Sequence, residues 1–115
     1  MNERILAAAG VLLAAAIAWP DPVTAEEHVS EAQRHAAQAA ESSGDSKAIG
    51  EHASAALQHV EKAKVQHADD PHMSQHLQQS ERDLRSAVTN ASRYNTDTAG
   101  HDAADAASHL EAAGK

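Results

Sequence analysis

From Glu26 onward the chain repeats one arrangement of hydrophobic positions, an apolar residue at alternating spacings of three and four. Val29, Ala32, Ala36 and Ala39 follow it, as do Ile49, Ala53, Ala56, Val60 and Ala63. So do Met73, Leu77, Ser80, Leu84 and Ala87, with one serine in the row, and then Ala99, Ala103, Ala106, Leu110 and Ala113. Such spacing is the a/d stripe of a heptad, the narrow apolar edge of a helix that packs on neighbouring helices. The stretches between are helix formers, Ala, Glu, Gln and Leu, interrupted by helix-stopping residues. The pattern predicts a first helix from Glu26 to Ser43, stopped at Gly44, and a second from Ser46 to about His67 behind an Asp45 or Ser46 cap. Asp70-Pro71 starts a third, with the proline at the first helical position where its missing N–H costs nothing. That helix fades around Arg93-Tyr94-Asn95, and Asp97 or Thr98 caps a fourth that lasts to Ala113. Connections this short set successive helices antiparallel, so the expected fold is all-α, an up-down-up-down four-helix bundle. Because alanine buries little area, at ~25 cal/mol per Å² the core should be only marginally stabilising.

The first 25 residues break the pattern. Met1-Asn2-Glu3-Arg4 precedes an uncharged run from Ile5 to Ala18, and a proline-containing segment ends in Val23-Thr24-Ala25. This is the layout of a cleavable signal peptide over residues 1–25, leaving residues 26–115 as one four-helix domain. Fourteen apolar residues fall short of the ~20 that a spanning helix needs. The expected location is therefore the periplasm, with no membrane association after processing. A cut after Ala18 also satisfies the small-residue rule but leaves Pro20 near the new terminus.

Charge narrows the partners. Once Glu3, Arg4 and Asp21 leave with the leader, 15 acidic side chains face 8 basic ones, which is no basis for binding nucleic acid. Cysteine is absent, and disulfide frameworks, thiolate zinc sites and thiol catalysis go with it. The nine histidines all lie in the mature part, a bias that points to metal ions as the partner.

Their placement is more telling than their number. Glu51-His52-Ala53-Ser54-Ala55-Ala56-Leu57-Gln58-His59 echoes Glu27-His28-Val29-Ser30-Glu31-Ala32-Gln33-Arg34-His35 at an offset of 24, and the fourth helix repeats the second at an offset of 50. His28, His35, His52, His59, His76 and His109 thereby share one heptad position, immediately beside the apolar stripe, and Asp83 and Asp102 occupy the equivalent places in the third and fourth helices. Residues seven apart on one helix are separated by about 10 Å along its axis. With metal–nitrogen bonds near 2 Å, the sites must form between helices. His72 and His76 differ, because a spacing of four lets both reach a single ion. Glu27, Glu31, Glu51, Asp69, Asp70 and Asp105 can add oxygen ligands or orient an imidazole. His67 and His101 read as structural or solvated. Imidazole with carboxylate suits Cu(II), Ni(II) and Zn(II), with Cu(II) tightest. A cut after Ala25 adds one alternative, since Glu26-Glu27-His28 would then place histidine third from a free amine, a square-planar Cu(II)/Ni(II) chelate. An upstream cut would instead let Thr24 and Glu27 form a capping box and keep His28 with the other histidines.

On His28-Val29-Ser30-Glu31-Ala32…His35-Ala36, Glu51-His52-Ala53…Ala56-Leu57…His59 and Ala103…Ala106…His109-Leu110-Glu111, the chain resembles the small metal-binding protein (SmbP) family. The resemblance runs through the mature chain. It implies a periplasmic four-helix bundle that binds several Cu(II) ions, accepts other divalent metals and serves in metal storage or scavenging. The chain departs from the family in having fewer histidines in its third and fourth helices.

Other functions fit less well. A periplasmic helical chaperone or metal-responsive envelope-stress protein should expose an apolar concavity, whereas the positions outside the stripes are mostly polar. A module switched by histidine protonation would use the same imidazoles near pH 6 to 7. An enzyme is not expected: no Ser-His-Asp arrangement, Glu-x-x-His pair or phosphate loop is present, and few large apolar residues could line a substrate cavity.

Overall fold

In a computed structural model, residues 23–115 are described except for 43 and 68, and they form four helices. They are α1 (Ala25–Glu41), α2 (Ser46–Gln66), α3 (Pro71–Ser92) and α4 (Thr96–Ala113). Most of the proposed signal peptide lies outside the described residues. Among the described helices none is long and apolar enough to cross a membrane.

Each helix start follows from local chemistry. Thr24 and Glu27 form a capping box: the threonine hydroxyl accepts from the Glu27 N–H at 3.1 Å, and the Glu27 carboxylate accepts from the Thr24 N–H at 2.9 Å. Asp45 caps α2 by accepting from the Ala48 N–H at 3.0 Å, and Asp70 caps α3 through the Met73 N–H at 3.1 Å, with Pro71 opening the helix. Gly44 takes φ 82° in the α1–α2 turn, a left-handed conformation that glycine adopts without penalty. The start of α4 departs from expectation. Asn95, not Asp97 or Thr98, holds the cap position, without a side-chain bond. The reason is the turn before it: Tyr94 takes φ 60°, the Asn95 N–H returns to the Asn90 carbonyl at 2.8 Å, and the Asn95 carbonyl already accepts from Ala99. Asp97 is left in the first turn, where its charge favours the helix dipole.

The helices pack in a square: α1 on α2, α2 on α3, α3 on α4 and α4 back on α1, with little contact between α2 and α4 across the diagonal. Neighbours run in opposite directions. Gln66 at the end of α2 donates to the Val23 carbonyl before α1. Lys64 and Glu61 of α2 pair with Glu81 and Arg85 of α3 at 2.6 and 3.1 Å, and Asp83 of α3 meets His109 of α4 while Asp102, earlier on α4, meets Asn90, later on α3. Every residue of the four stripes is buried, and Ala25 and Ala91 join them. Of these twenty buried apolar residues thirteen are alanine, so the core rests on Val29, Ile49, Val60, Met73, Leu77, Leu84 and Leu110. Ser80, the polar member of the α3 stripe, donates its hydroxyl proton to the His76 carbonyl at 2.8 Å and so stays satisfied.

Candidate metal centre

The position beside each stripe faces the neighbouring helix, and because neighbours are antiparallel it meets its counterpart there. On the α1–α2 edge, His28 and His59 approach with their Nδ1 atoms 2.9 Å apart. The contact requires one ring to donate and the other to accept, so at least one of the two is neutral. His35 stacks on both His59 and His52, with ring centroids 5.8 and 5.9 Å away. Ligand atoms of Glu31, His35 and His59 all lie within 4.8 Å of one another. His28 is the one histidine drawn fully into the core, at 2% exposure.

The α3–α4 edge is built on the same plan with fewer nitrogens. His72 and His76 lie edge to face with centroids 4.8 Å apart, and His76 is 6.1 Å from His109 across the helix pair. His109 Nε2 is 3.6 Å from an Asp83 oxygen. Asp102 is engaged differently: one of its oxygens accepts from Ser86 at 2.7 Å and from Asn90 at 2.9 Å. The fold thus brings together His28, His35, His52 and His59 on one edge, and His72, His76, His109 and Asp83 on the other. Asp102 sits apart in a polar clamp. His67 ends α2 with Nε2 3.4 Å from Glu26, and His101 is exposed.

The electrostatics prepare the first edge for a cation. Burial lowers the His35 pKa from its ordinary value, with repulsion from Arg34 and His52 adding to it. Burial also lowers that of His59, helped by His28 and His35. Both rings are therefore held neutral, the form that binds metal. Glu31 goes the other way: its hydrogen bond and ion pair with Arg34 hold its carboxyl below the usual range, so it offers a ready anion. On the other edge burial raises the Asp83 pKa, while His109 opposes the shift. His35 Nδ1 and His76 Nδ1 are buried without a hydrogen-bond partner among the described residues. A buried nitrogen left without a partner costs about 1–3 kcal/mol, which a bound cation would remove. The donor set, imidazole nitrogen with one carboxylate, fits a borderline divalent ion.

The sequence pattern of small metal-binding proteins matches residues 1–113. The chain belongs to the small metal-binding protein family. No curated protein and no solved structure matches it. Glu31, to which the heptad spacing gives only a supporting place, lies within ligand distance of His35 and His59 in the structure. It was legible as an acid three residues after His28 and four before His35, a spacing that sets all three on one face.

Proposed function

We propose that the protein is exported through its N-terminal leader and binds divalent transition metals in the periplasm, for storage or scavenging rather than catalysis. The observation that carries the reading is the convergence of Glu31, His35 and His59 within 4.8 Å, two neutral imidazoles and an anion on facing helices. Cu(II) is the preferred ion, with Ni(II) and Zn(II) also accepted. Imidazole nitrogen with carboxylate favours Cu(II) over Ni(II) and Zn(II) by the usual order of divalent-metal affinities. The trio closes onto an ion by side-chain rotation. A chaperone role rests on one feature, an open groove of about 700 Å³ between α2 and α3 whose lining mixes Ala55, Val88, Ala91 and Tyr94 with Lys47, Glu51, Ser54 and Gln58.

Calorimetric titration with Cu(II), Ni(II) and Zn(II), with native mass spectrometry of the loaded protein, tests this. The expected order is Cu(II) tightest, with the tightest step lost in the His35→Ala/His59→Ala double variant. Unchanged binding in that variant would remove the trio from the function. Fractionation of the native cell with N-terminal mass determination tests export, and full-length protein in the cytoplasm would refute it.

A further inference from the structure

The contacts on the α1–α2 edge overlap. His59 meets His28 through Nδ1 at 2.9 Å, yet it also belongs to the trio with Glu31 and His35. His35, the other imidazole of the trio, stacks on His52 at 5.9 Å. The order along the edge is therefore His28, His59, His35, His52, each ring in contact with the next. A neutral imidazole has one nitrogen lone pair to give, because its other nitrogen carries the proton. His59 cannot serve an ion with His28 and another with Glu31 and His35 at once. The same holds for His35 between the trio and His52.

We propose that this edge is a ladder of shared ligands with two mutually exclusive loading states. In one, a single ion is held by Glu31, His35 and His59. In the other, two ions are held, one by His28 with His59 and one by His35 with His52. The proposal rests on the metal-binding reading above and adds how the edge fills.

Helix geometry makes the exclusion strict. His28 and His35 are seven residues apart on α1, as are His52 and His59 on α2, so each pair is separated by about 10 Å along its axis. An ion at the centre leaves His28 and His52 stranded at opposite ends, each without a second imidazole. Both end pairs are within reach of an ion. A ring nitrogen lies about 1 Å from its ring centre and a metal bond adds about 2 Å on each side, and these rings stand 5.2 and 5.9 Å apart. Scarce metal selects the central state, with the most ligands per ion. Excess metal selects the end state, which engages all four imidazoles and places two ions about 10 Å apart. The second ion thus dismantles the site that held the first.

The test uses the full chain carrying His72→Ala, His76→Ala and His109→Ala, which silences the α3–α4 edge, titrated with Cu(II) under electron paramagnetic resonance and native mass spectrometry. The expected first species, with two nitrogens and a carboxylate oxygen, grows to one equivalent and then declines. A second spectrum replaces it, with dipolar broadening from a neighbouring ion. Glu31→Gln, which keeps the side chain's size, is expected to abolish the first species and give the two-ion spectrum directly. His28→Ala should hold the edge at the one-ion spectrum through the second equivalent. Ligand sharing is overturned if the first spectrum persists undiminished while the second ion binds, or if Glu31→Gln leaves the rise and fall intact. Failure of the underlying reading looks different: the parent then takes up no Cu(II), or His35→Ala/His59→Ala takes up as much as the parent. Additive filling that vanishes in that double variant leaves metal binding standing and removes only the sharing.

Discussion

Replacing Leu84 by alanine isolates the link between the thin core and the metal. Leu84 is fully buried in the α3 stripe, one of seven buried apolar residues larger than alanine among the described residues. The loss of its isobutyl group should therefore cost about 2–5 kcal/mol. Against a total of about 5 kcal/mol, the low end for small domains, this leaves about 0–3 kcal/mol, so at the upper end of the loss the metal-free variant stands at its midpoint at room temperature. At about 4–8 °C per kcal/mol for a domain of this size, its thermal midpoint should fall by at least 8 °C. Ions that bind ligands on two helices bind only the folded chain, and one site at a hundredfold excess over its Kd returns about 2.7 kcal/mol. The expected outcome is a helical signal at 222 nm that is depleted in chelator and largely restored by Cu(II). Val65→Ala, at a side chain 80% exposed, should change stability by no more than ~0.5 kcal/mol. A Leu84→Ala protein that melts with the parent would refute the account of the core. One that loses helicity and does not regain it with metal would refute the coupling of site to fold.

Other consequences are quicker to test. His35 and His59 have pKa values lowered in the folded state from 6.5, so the unfolded chain takes up protons first as pH falls. Metal-free stability should be full above about pH 6.5 and decline below it until the folded-state pKa values are passed; a urea midpoint that stays flat or rises between pH 7.5 and 5 would contradict this. In the full-length, unprocessed chain Thr24→Ala removes the α1 capping box and should cost about 1 kcal/mol in urea denaturation; no loss would mean that the first turn is frayed in solution. Asp102→Ala strips the acceptor from Ser86 and Asn90 and should cost about 1–2 kcal/mol with no change in Cu(II) stoichiometry. Loss of an ion would instead make Asp102 a ligand.

The apolar stripes were fully legible, because a heptad pattern in alanine and leucine has one way to be buried. Helix starts were legible where the capping side chain is unambiguous, at Asp45 and Asp70. They were misjudged at α4, where a backbone turn at Tyr94 did the capping and no side chain announced it. The common position of the histidines could be read from spacing. Which ring meets which could not, since it depends on the relative offset of antiparallel helices: His59 lies between His28 and His35 rather than opposite one of them. Nor could spacing separate Asp83 from Asp102. Their heptad positions are the same, and only the surroundings differ, His109 beside one and Ser86 with Asn90 around the other.

The alanine stripes have an evolutionary consequence. Helix axes lie 8–10 Å apart depending on the side chains between them, and a seam rich in alanine lets α1 and α2 approach closely enough for imidazoles on opposing edges to touch. Filling the seam with leucine, the usual route to a hardier bundle, would drive the helices apart and open the gap between His28 and His59. Selection for heat resistance in such a protein is thus confined to turns, caps and surface charges. The alanine positions of the interior are free to vary only among the smallest residues.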